Sequence, residues 1–113
     1  MLTFLAAVTL AAAPAEEPVL TPPQAEALRC AVAFAIGAKL QEDKSPLAAG
    51  WPDLTTRGKE YFVRATAKLM DDTKASRETL TAMVMRQMRA LIVPADTAAA
   101  IPGCLPLLDA SGQ

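Results

Sequence analysis

The chain has 113 residues, enough for one domain, and its 11 basic and 12 acidic side chains give a net charge of −1. It contains no histidine, which excludes histidine-based acid–base catalysis, Ser-His and Cys-His nucleophiles, and histidine-ligated zinc or copper. An isoelectric point near 5.3 gives no basic footprint for nucleic acid.

The first fifteen residues have the composition of a secretory signal peptide. They contain no charged side chain, Leu2–Ala13 form a mainly apolar core, and Ala13-Pro14-Ala15 fits the small-x-small cleavage pattern. A transmembrane helix needs about 20 apolar residues, more than this stretch has. We expect residues 1–15 to be a cleaved signal peptide, 16–21 a flexible tail and 22–113 one helical domain in the periplasm or outside the cell. The alternative is an ordinary N-terminal helix.

The first helix of the domain is predicted to start at the cap Thr21, followed by two prolines, and to run to about Glu42. Its segment Cys30–Ala38 is a run of nine apolar or small residues that is apolar all round, between Arg29 and Lys39. Such a helix is either buried or spans a membrane, and nine residues are too few for a span. We therefore expect this helix to be the centre of the fold.

The two sides of the central helix are expected to face different neighbours. The side predicted to pack against the second and third helices carries Leu28, Val32, Ala35 and Ile36. The side predicted to pack against the C-terminal segment carries Ala27, Cys30, Phe34 and Ala38. The alternative is that one side is left bare for a partner or for a second copy of the chain.

A second helix is predicted after the loop Leu47–Pro52. It should begin at Asp53 or Thr55 and end near Asp72, since apolar and charged residues separate onto two stripes over this segment. The apolar stripe consists of Leu54, Tyr61, Phe62, Ala65 and Leu69.

A third helix is predicted from the cap Ser76, with Glu78 in its first turn, to Ile92 or Val93 before a proline. Its core stripe is expected to contain Leu80, Val84, Met88 and Leu91, flanked by Met83 and Ile92.

The C-terminal segment is predicted to be mostly non-helical. Ala95–Ile101 can form a short helix, Pro102-Gly103 should end it, and Cys104–Leu108 should be extended. No strand pattern is visible, so the predicted fold is all-α: a small bundle of three main helices plus a short C-terminal helix and an extended tail.

The two cysteines, Cys30 and Cys104, are predicted to form one disulfide. An oxidising compartment, an even cysteine count and the lack of visible metal ligands favour this pairing. The alternative is two buried reduced thiols. The bond would clasp the C-terminal segment across the first helix.

The central part of the chain is basic. Between Arg57 and Arg89 lie eight basic and four acidic side chains, so this segment has a net charge of +4. It can meet an acidic partner or a lipid headgroup surface, or it is a solvated face with internal ion pairs. The candidate partner surface consists of Arg57, Arg64, Lys68, Arg86 and Arg89.

No catalytic or cofactor-binding motif is visible. The carboxylate pairs Glu42/Asp43 and Asp71/Asp72 are adjacent in sequence, which is typical of solubilising groups. Three methionines between Met83 and Met88 suit Cu(I) by ligand type, but their spacing on a helix does not converge, so we expect core packing. We therefore expect no enzyme activity, no cofactor and no metal.

The layout is similar to that of small periplasmic acid-stress chaperones, which are helical and held by one disulfide. No stretch of residues can be aligned with them, so no functional position carries over. The leading hypothesis is a non-enzymatic exported protein that binds another protein, as an inhibitor or immunity-type factor. The alternatives are a holdase-like stress chaperone that exposes its apolar first helix, and a carrier of a small hydrophobe or metal. A homo-oligomer is compatible with each.

Overall fold

The computed structural model describes residues 17–112, which contain four α-helices and one 3-10 turn. The elements are α1 (Pro22–Glu42), the 3-10 turn (Pro46–Ala48), α2 (Arg57–Thr73), α3 (Arg77–Leu91) and α4 (Pro94–Ala110). No β-strand occurs within these residues, so the predicted all-α bundle is confirmed. The predicted signal peptide, residues 1–15, lies outside the described residues.

α1 begins and ends where its sequence signals indicate. The Thr21 hydroxyl accepts a hydrogen bond from the Gln24 backbone N–H, and the Gln24 side chain accepts one from the Thr21 N–H. This capping box satisfies two N–H groups that have no helical partner. Pro22 and Pro23 follow the cap, where a missing N–H removes no helical hydrogen bond. The helix then continues to Glu42, as predicted.

The middle of α1 is the core of the molecule. Every residue of Cys30–Ala38 except Ala35 is buried, and α2, α3 and α4 all pack against this helix. Small residues allow the close packing. A Cβ atom on Gly37 would lie 2.8 Å from Leu54 Cδ1 and 3.3 Å from Ile101 Cδ1. The loop before α2 and the helix α4 therefore both approach the α1 backbone at this glycine.

The neighbour of Phe34 differs from the prediction. This side of α1 was expected to face the C-terminal segment, but α2 packs here as well. The rings of Phe34 and Tyr61 meet edge to face with centroids 5.2 Å apart. A Cβ atom on Gly58 would lie only 3.1 Å from Phe34 Cβ. The missing side chain at Gly58 thus lets α2 approach the Phe34 side.

α2 begins at Arg57, slightly later than the predicted start at Asp53 or Thr55. The Asp53 carboxylate accepts hydrogen bonds from the Thr55 hydroxyl and from the Thr56 N–H. These bonds close a turn before the helix, so Asp53 caps the turn. The hydrogen bond from Thr55 is the main reason why the pKa of Asp53 is lowered.

α3 begins after its predicted cap. The Ser76 hydroxyl accepts a hydrogen bond from the Thr79 N–H, and the helix ends at Leu91. The predicted core stripe is confirmed in outline, because Leu80, Met83 and Leu91 are buried while Val84 and Met88 are half-buried. Ile92, predicted to flank the core, is instead 55% exposed.

The C-terminal segment differs most from the prediction. The expected short helix over Ala95–Ile101 and the expected extended stretch Cys104–Leu108 are one continuous helix, α4, so Pro102-Gly103 does not end it. Four positions at helical spacing are fully buried along α4, namely Thr97, Ile101, Cys104 and Leu108. Burial of this stripe keeps the segment helical.

The two internal prolines of α4, Pro102 and Pro106, lie on its exposed face. A proline inside a helix lacks the N–H that would bond to the carbonyl four residues earlier. On an exposed face water replaces that partner, so the loss is smaller than it would be in the core. The apolar burial on the opposite face of α4 therefore outweighs the two missing bonds.

The two cysteines meet in the core between α1 and α4. The Sγ atoms of Cys30 and Cys104 are 2.10 Å apart, at disulfide distance, and both side chains are fully buried. The predicted pairing is confirmed. A second contact fixes the start of α4, since the Thr97 hydroxyl donates a hydrogen bond to the Leu91 carbonyl at the end of α3.

Candidate interaction groove

An open groove of about 530 Å³ lies where the start of α1, the second half of α2 and the end of α4 meet. Its volume is within the range of about 300–1,000 Å³ that is typical of ligand sites. We call it the α1–α2–α4 groove. Its floor is mainly apolar and is formed by Ala27, Tyr61, Ala65, Leu69 and Leu107.

Tyr61 connects the groove to the core. It is a buried side chain whose ring packs against Phe34 on α1. Burial raises the pKa of the Tyr61 phenol, and the negative charge of Glu26 raises it further. Tyr61 therefore contributes a neutral, rigid aromatic surface to the floor at physiological pH.

The rim of the groove carries two cations and one carboxylate. Arg64 Nε lies 3.2 Å from Glu60 Oε1, and Lys68 Nζ lies 2.7 Å from Asp72 Oδ2. The hydrogen bond with Asp72 raises the pKa of Lys68. The Arg64 and Lys68 side chains are 65% and 76% exposed. Exposed ion pairs contribute only about 0–1 kcal/mol, so both cations can exchange their present partners for another carboxylate.

Arg57 lies on the same side of α2 as the two rim cations, because the three residues are seven and four positions apart. Its guanidinium is 3.1 Å from Asp109 Oδ1 and so connects α2 to the end of α4. Three of the five predicted surface residues, Arg57, Arg64 and Lys68, are therefore brought together along one side of α2.

The other two predicted surface residues lie elsewhere. Arg86 and Arg89 are exposed residues of α3 and do not line the groove. Arg86 is paired with Glu17 from the segment before α1, and this hydrogen bond lowers the pKa of Glu17. The structure therefore divides the predicted partner surface into one side of α2, where Arg64 and Lys68 line the groove, and a separate face on α3.

The wall supplied by α4 was missed by the sequence reasoning. Leu107, Ala110 and Ser111 line the groove only because the C-terminal segment is helical and lies beside α2. One sequence signal could have shown this. The residues of α4 that are buried, from Thr97 to Leu108, are spaced four, three and four positions apart, as on one face of a helix.

Three of the four carboxylates in the acidic pairs of the sequence form ion pairs at the surface. Glu42 contacts Lys59 on α2, and Asp43 contacts Lys39 within α1. Asp72 contacts Lys68 at the groove rim. The groove thus combines an apolar floor with the two cations of its rim, Arg64 and Lys68.

Metal ligands are not gathered anywhere in residues 17–112, since no group of three His, Cys, Asp or Glu side chains is placed to hold an ion. The methionines of α3 face different ways. Met83 is buried, whereas Met85 is 46% exposed, so their thioethers do not converge.

Within residues 17–112 no single helix is long and apolar enough to cross a membrane. By length and composition alone, α3 and α4 taken together pass this test, with a bend of 110° between them.

The chain matches no protein-family model, and no curated protein or solved structure is significantly similar to it.

Proposed function

We propose that this protein is a non-enzymatic, exported helical protein that binds another protein through the α1–α2–α4 groove. The observation that carries the proposal is an apolar floor next to the two exposed cations Arg64 and Lys68. Grooves between helices commonly receive one apolar face of an amphipathic segment. The expected partner therefore presents apolar side chains bordered by carboxylates, and an inhibitor or immunity-type role fits such binding. With the predicted signal peptide, the partner is expected in the periplasm or outside the cell.

The groove residues support binding and give no support for catalysis. Its titratable side chains are Tyr61, Arg64, Lys68 and Asp72. Lys68 and Asp72 are hydrogen-bonded to each other, and the pKa values of Tyr61 and Lys68 are both raised. A general base needs a pKa near the working pH, and both shifts move these groups further above neutral pH.

The test is affinity capture from a periplasmic extract, followed by mapping of the captured partner to the groove. We expect the wild-type protein to capture one main partner at neutral pH. Ala65→Glu places a charge on the apolar floor and should abolish capture. Lys68→Glu reverses a rim charge on a side chain that is 76% exposed, so it should weaken binding without loss of the fold.

The matched control is Ala67→Glu, the same change two residues away on the exposed face of α2. This variant should capture the partner as the wild type does, and circular dichroism should show equal helix content in all variants. The proposal is overturned if no partner is captured, or if Ala65→Glu and Lys68→Glu retain the same partner as Ala67→Glu.

A holdase-like stress chaperone is the second candidate, and α4 is the observation that favours it. This helix covers the apolar middle of α1, yet it contains two internal prolines. Partial release of α4 would expose the α1 surface to unfolded clients. Capture of many clients at acid pH alone, with suppression of their aggregation, would favour this function over binding of one partner. A small apolar molecule bound in the groove, with no protein captured, would instead indicate a carrier.

A further inference from the structure

The exposed apolar side chains of the molecule are concentrated near one helix. Six large apolar residues are exposed in residues 17–112, and they are Val19, Leu47, Val63, Met85, Ile92 and Val93. Met85 lies on α3, and Ile92 and Val93 directly follow its last residue. Val19 is two residues from Glu17, which contacts α3 through Arg86. Four of the six therefore lie on α3, directly after it, or on the segment that contacts it.

The α3 residues share one face of the helix. Met85, Arg89 and Ile92 follow one another at spacings of four and three, and the backbone of Ile92 is still helical at the end of α3, so they lie on one stripe. This stripe is opposite the buried residues Leu80 and Leu91. We call it, with Arg86 and Val93, the α3 outer face.

The α3 outer face carries two cations, Arg86 and Arg89, and within residues 17–112 the one carboxylate paired with it is Glu17, from the segment before α1. Arg89 is exposed and makes no ion pair with another residue in the described part of the chain, while Arg86 is paired with Glu17. The nearest acidic residues along the chain are Glu78, about 10 Å before Met85 along the helix, and Asp96, beyond the 110° bend into α4.

The shape of the α3 outer face suits a flat surface. It lies on the outside of a helix and ends at the corner where α3 turns into α4, with Ile92 and Val93 each 55% exposed at that corner. A convex face has no cavity into which the side chains of a protein partner could insert. A bilayer deforms around such side chains, taking the apolar groups below the headgroups while arginine side chains extend to the phosphates.

We propose that the α3 outer face is a peripheral contact site for a bilayer with anionic phospholipid headgroups. Met85, Ile92 and Val93 enter the interface between headgroups and acyl chains, and Arg86 and Arg89 bind phosphates. This contact goes beyond the proposed groove function because it uses a different helix and leaves the groove free. The binding is reversible and weakens with salt, since it depends on two cations and a few apolar side chains.

The test is co-sedimentation of the purified exported protein with vesicles of phosphatidylglycerol and phosphatidylethanolamine, and with vesicles of phosphatidylcholine alone. Intact mass confirms the N-terminus, because a retained apolar segment Leu2–Ala13 would bind vesicles by itself. We expect binding to the anionic vesicles only. The corner variant, Ile92→Ser/Val93→Ser, should lose this binding. Arg89→Gln should weaken it about fivefold, the effect of roughly one charge near an anionic surface.

The matched control is Val63→Ser, which makes the same apolar-to-polar change at a residue that is 61% exposed on α2 and is not part of the α3 outer face. It should bind vesicles as the wild type does. The proposal is overturned if the wild type does not bind anionic vesicles, if it binds both kinds of vesicle equally, or if Val63→Ser loses as much binding as the corner variant. One outcome would identify the face as a protein interface instead. In that case the wild type captures a protein partner but does not bind vesicles, and the corner variant no longer captures that partner.

Discussion

α1 and α4 are both helices of the same core, but they are specified in different ways. α1 has a capping box, prolines only in its first turn and a continuous apolar middle, so local and long-range signals agree. α4 has two prolines inside the helix and no side-chain cap at Val93. Its local signals predict a break at Pro102, and the structure shows none.

The difference shows which interactions stabilise each helix. α4 is helical because Thr97, Ile101, Cys104 and Leu108 are fully buried against the rest of the molecule and because Cys104 is bonded to Cys30. Tertiary packing commonly outweighs intrinsic helix propensity in this way. The groove depends on the same contacts, since the end of α4 forms one of its walls. The predictions below test this contrast between the two helices.

The largest effect is expected from removal of the disulfide. The double variant Cys30→Ser/Cys104→Ser opens a loop with a sequence separation of 74 residues. The chain-entropy model assigns such a closed loop about 4.5 kcal/mol, an upper value for the loss in the free energy of unfolding. Denaturant unfolding of the oxidised wild type and of the variant measures this difference. A variant that melts within one or two degrees of the wild type would show that α4 does not need the bond.

Replacement of an internal proline of α4 should stabilise the protein. Pro102→Ala restores a helical N–H and is expected to raise the free energy of unfolding by about 2 kcal/mol. A proline inside a helix destabilises the folded state by about 3 kcal/mol. It also restricts the unfolded chain, which stabilises the protein by up to about 1 kcal/mol, and this benefit is lost in the variant. The control is Pro94→Ala at the first turn of α4, where no helical bond is missing. Equal, near-zero effects at both positions would contradict the helical assignment around Pro102.

Two glycines provide a matched pair on the contrasting helices. Gly103 lies in α4, and a Cβ atom added there would have no neighbouring atom within 4 Å, so Gly103→Ala should stabilise the protein by about 0.5–1 kcal/mol through helix propensity. Gly37→Ala on α1 gains the same propensity but places a Cβ atom 2.8 Å from Leu54 Cδ1 in a filled core. Overpacking of this kind costs about 1–3 kcal/mol, so we expect a net loss of about 1 kcal/mol. Thermal unfolding of both variants should give shifts of opposite sign.

The smallest effect is expected from pH at Asp53, in the turn that precedes α2. Its pKa in the folded protein is lowered from the ordinary value of 3.8, chiefly by the Thr55 hydroxyl. The stability that the carboxylate contributes is therefore present above that ordinary value and is lost as the pH falls through the lowered pKa. Asp53→Asn keeps a side-chain acceptor but not the charge. Wild type and variant should differ slightly in stability at neutral pH and converge as the pH falls through the lowered pKa of Asp53, whereas a pH-independent difference would contradict this origin.

Most of the fold could be predicted from local patterns. The caps Thr21 and Ser76 marked the starts of α1 and α3, and the apolar run Cys30–Ala38 identified the central helix. The start of α2 was placed slightly too early because Asp53 and Thr55 are residue types that often cap helices, whereas Asp53 caps the turn that precedes α2.

The parts that could not be predicted depend on contacts between distant residues. α2 can approach Phe34 only because the small Gly58 lies opposite it. α4 is helical because the burial of its apolar stripe stabilises the helix by more than Pro102 and Pro106 destabilise it. The candidate surface was predicted as one set of cations along the sequence. In the structure these cations lie on two helices, with Arg57, Arg64 and Lys68 along one side of α2 and Arg86 and Arg89 on the α3 outer face.

Native-state hydrogen exchange tests the central claim, that α4 is held helical by its contacts with α1, most directly. Backbone amides of α1 and α4 should both be protected in the oxidised wild type, because the disulfide joins their middles. In Cys30→Ser/Cys104→Ser under native conditions, amides of α4 should exchange much faster while those in the middle of α1 retain most of their protection. Unchanged protection of α4 in the variant, or an equal loss in both helices, would contradict the account.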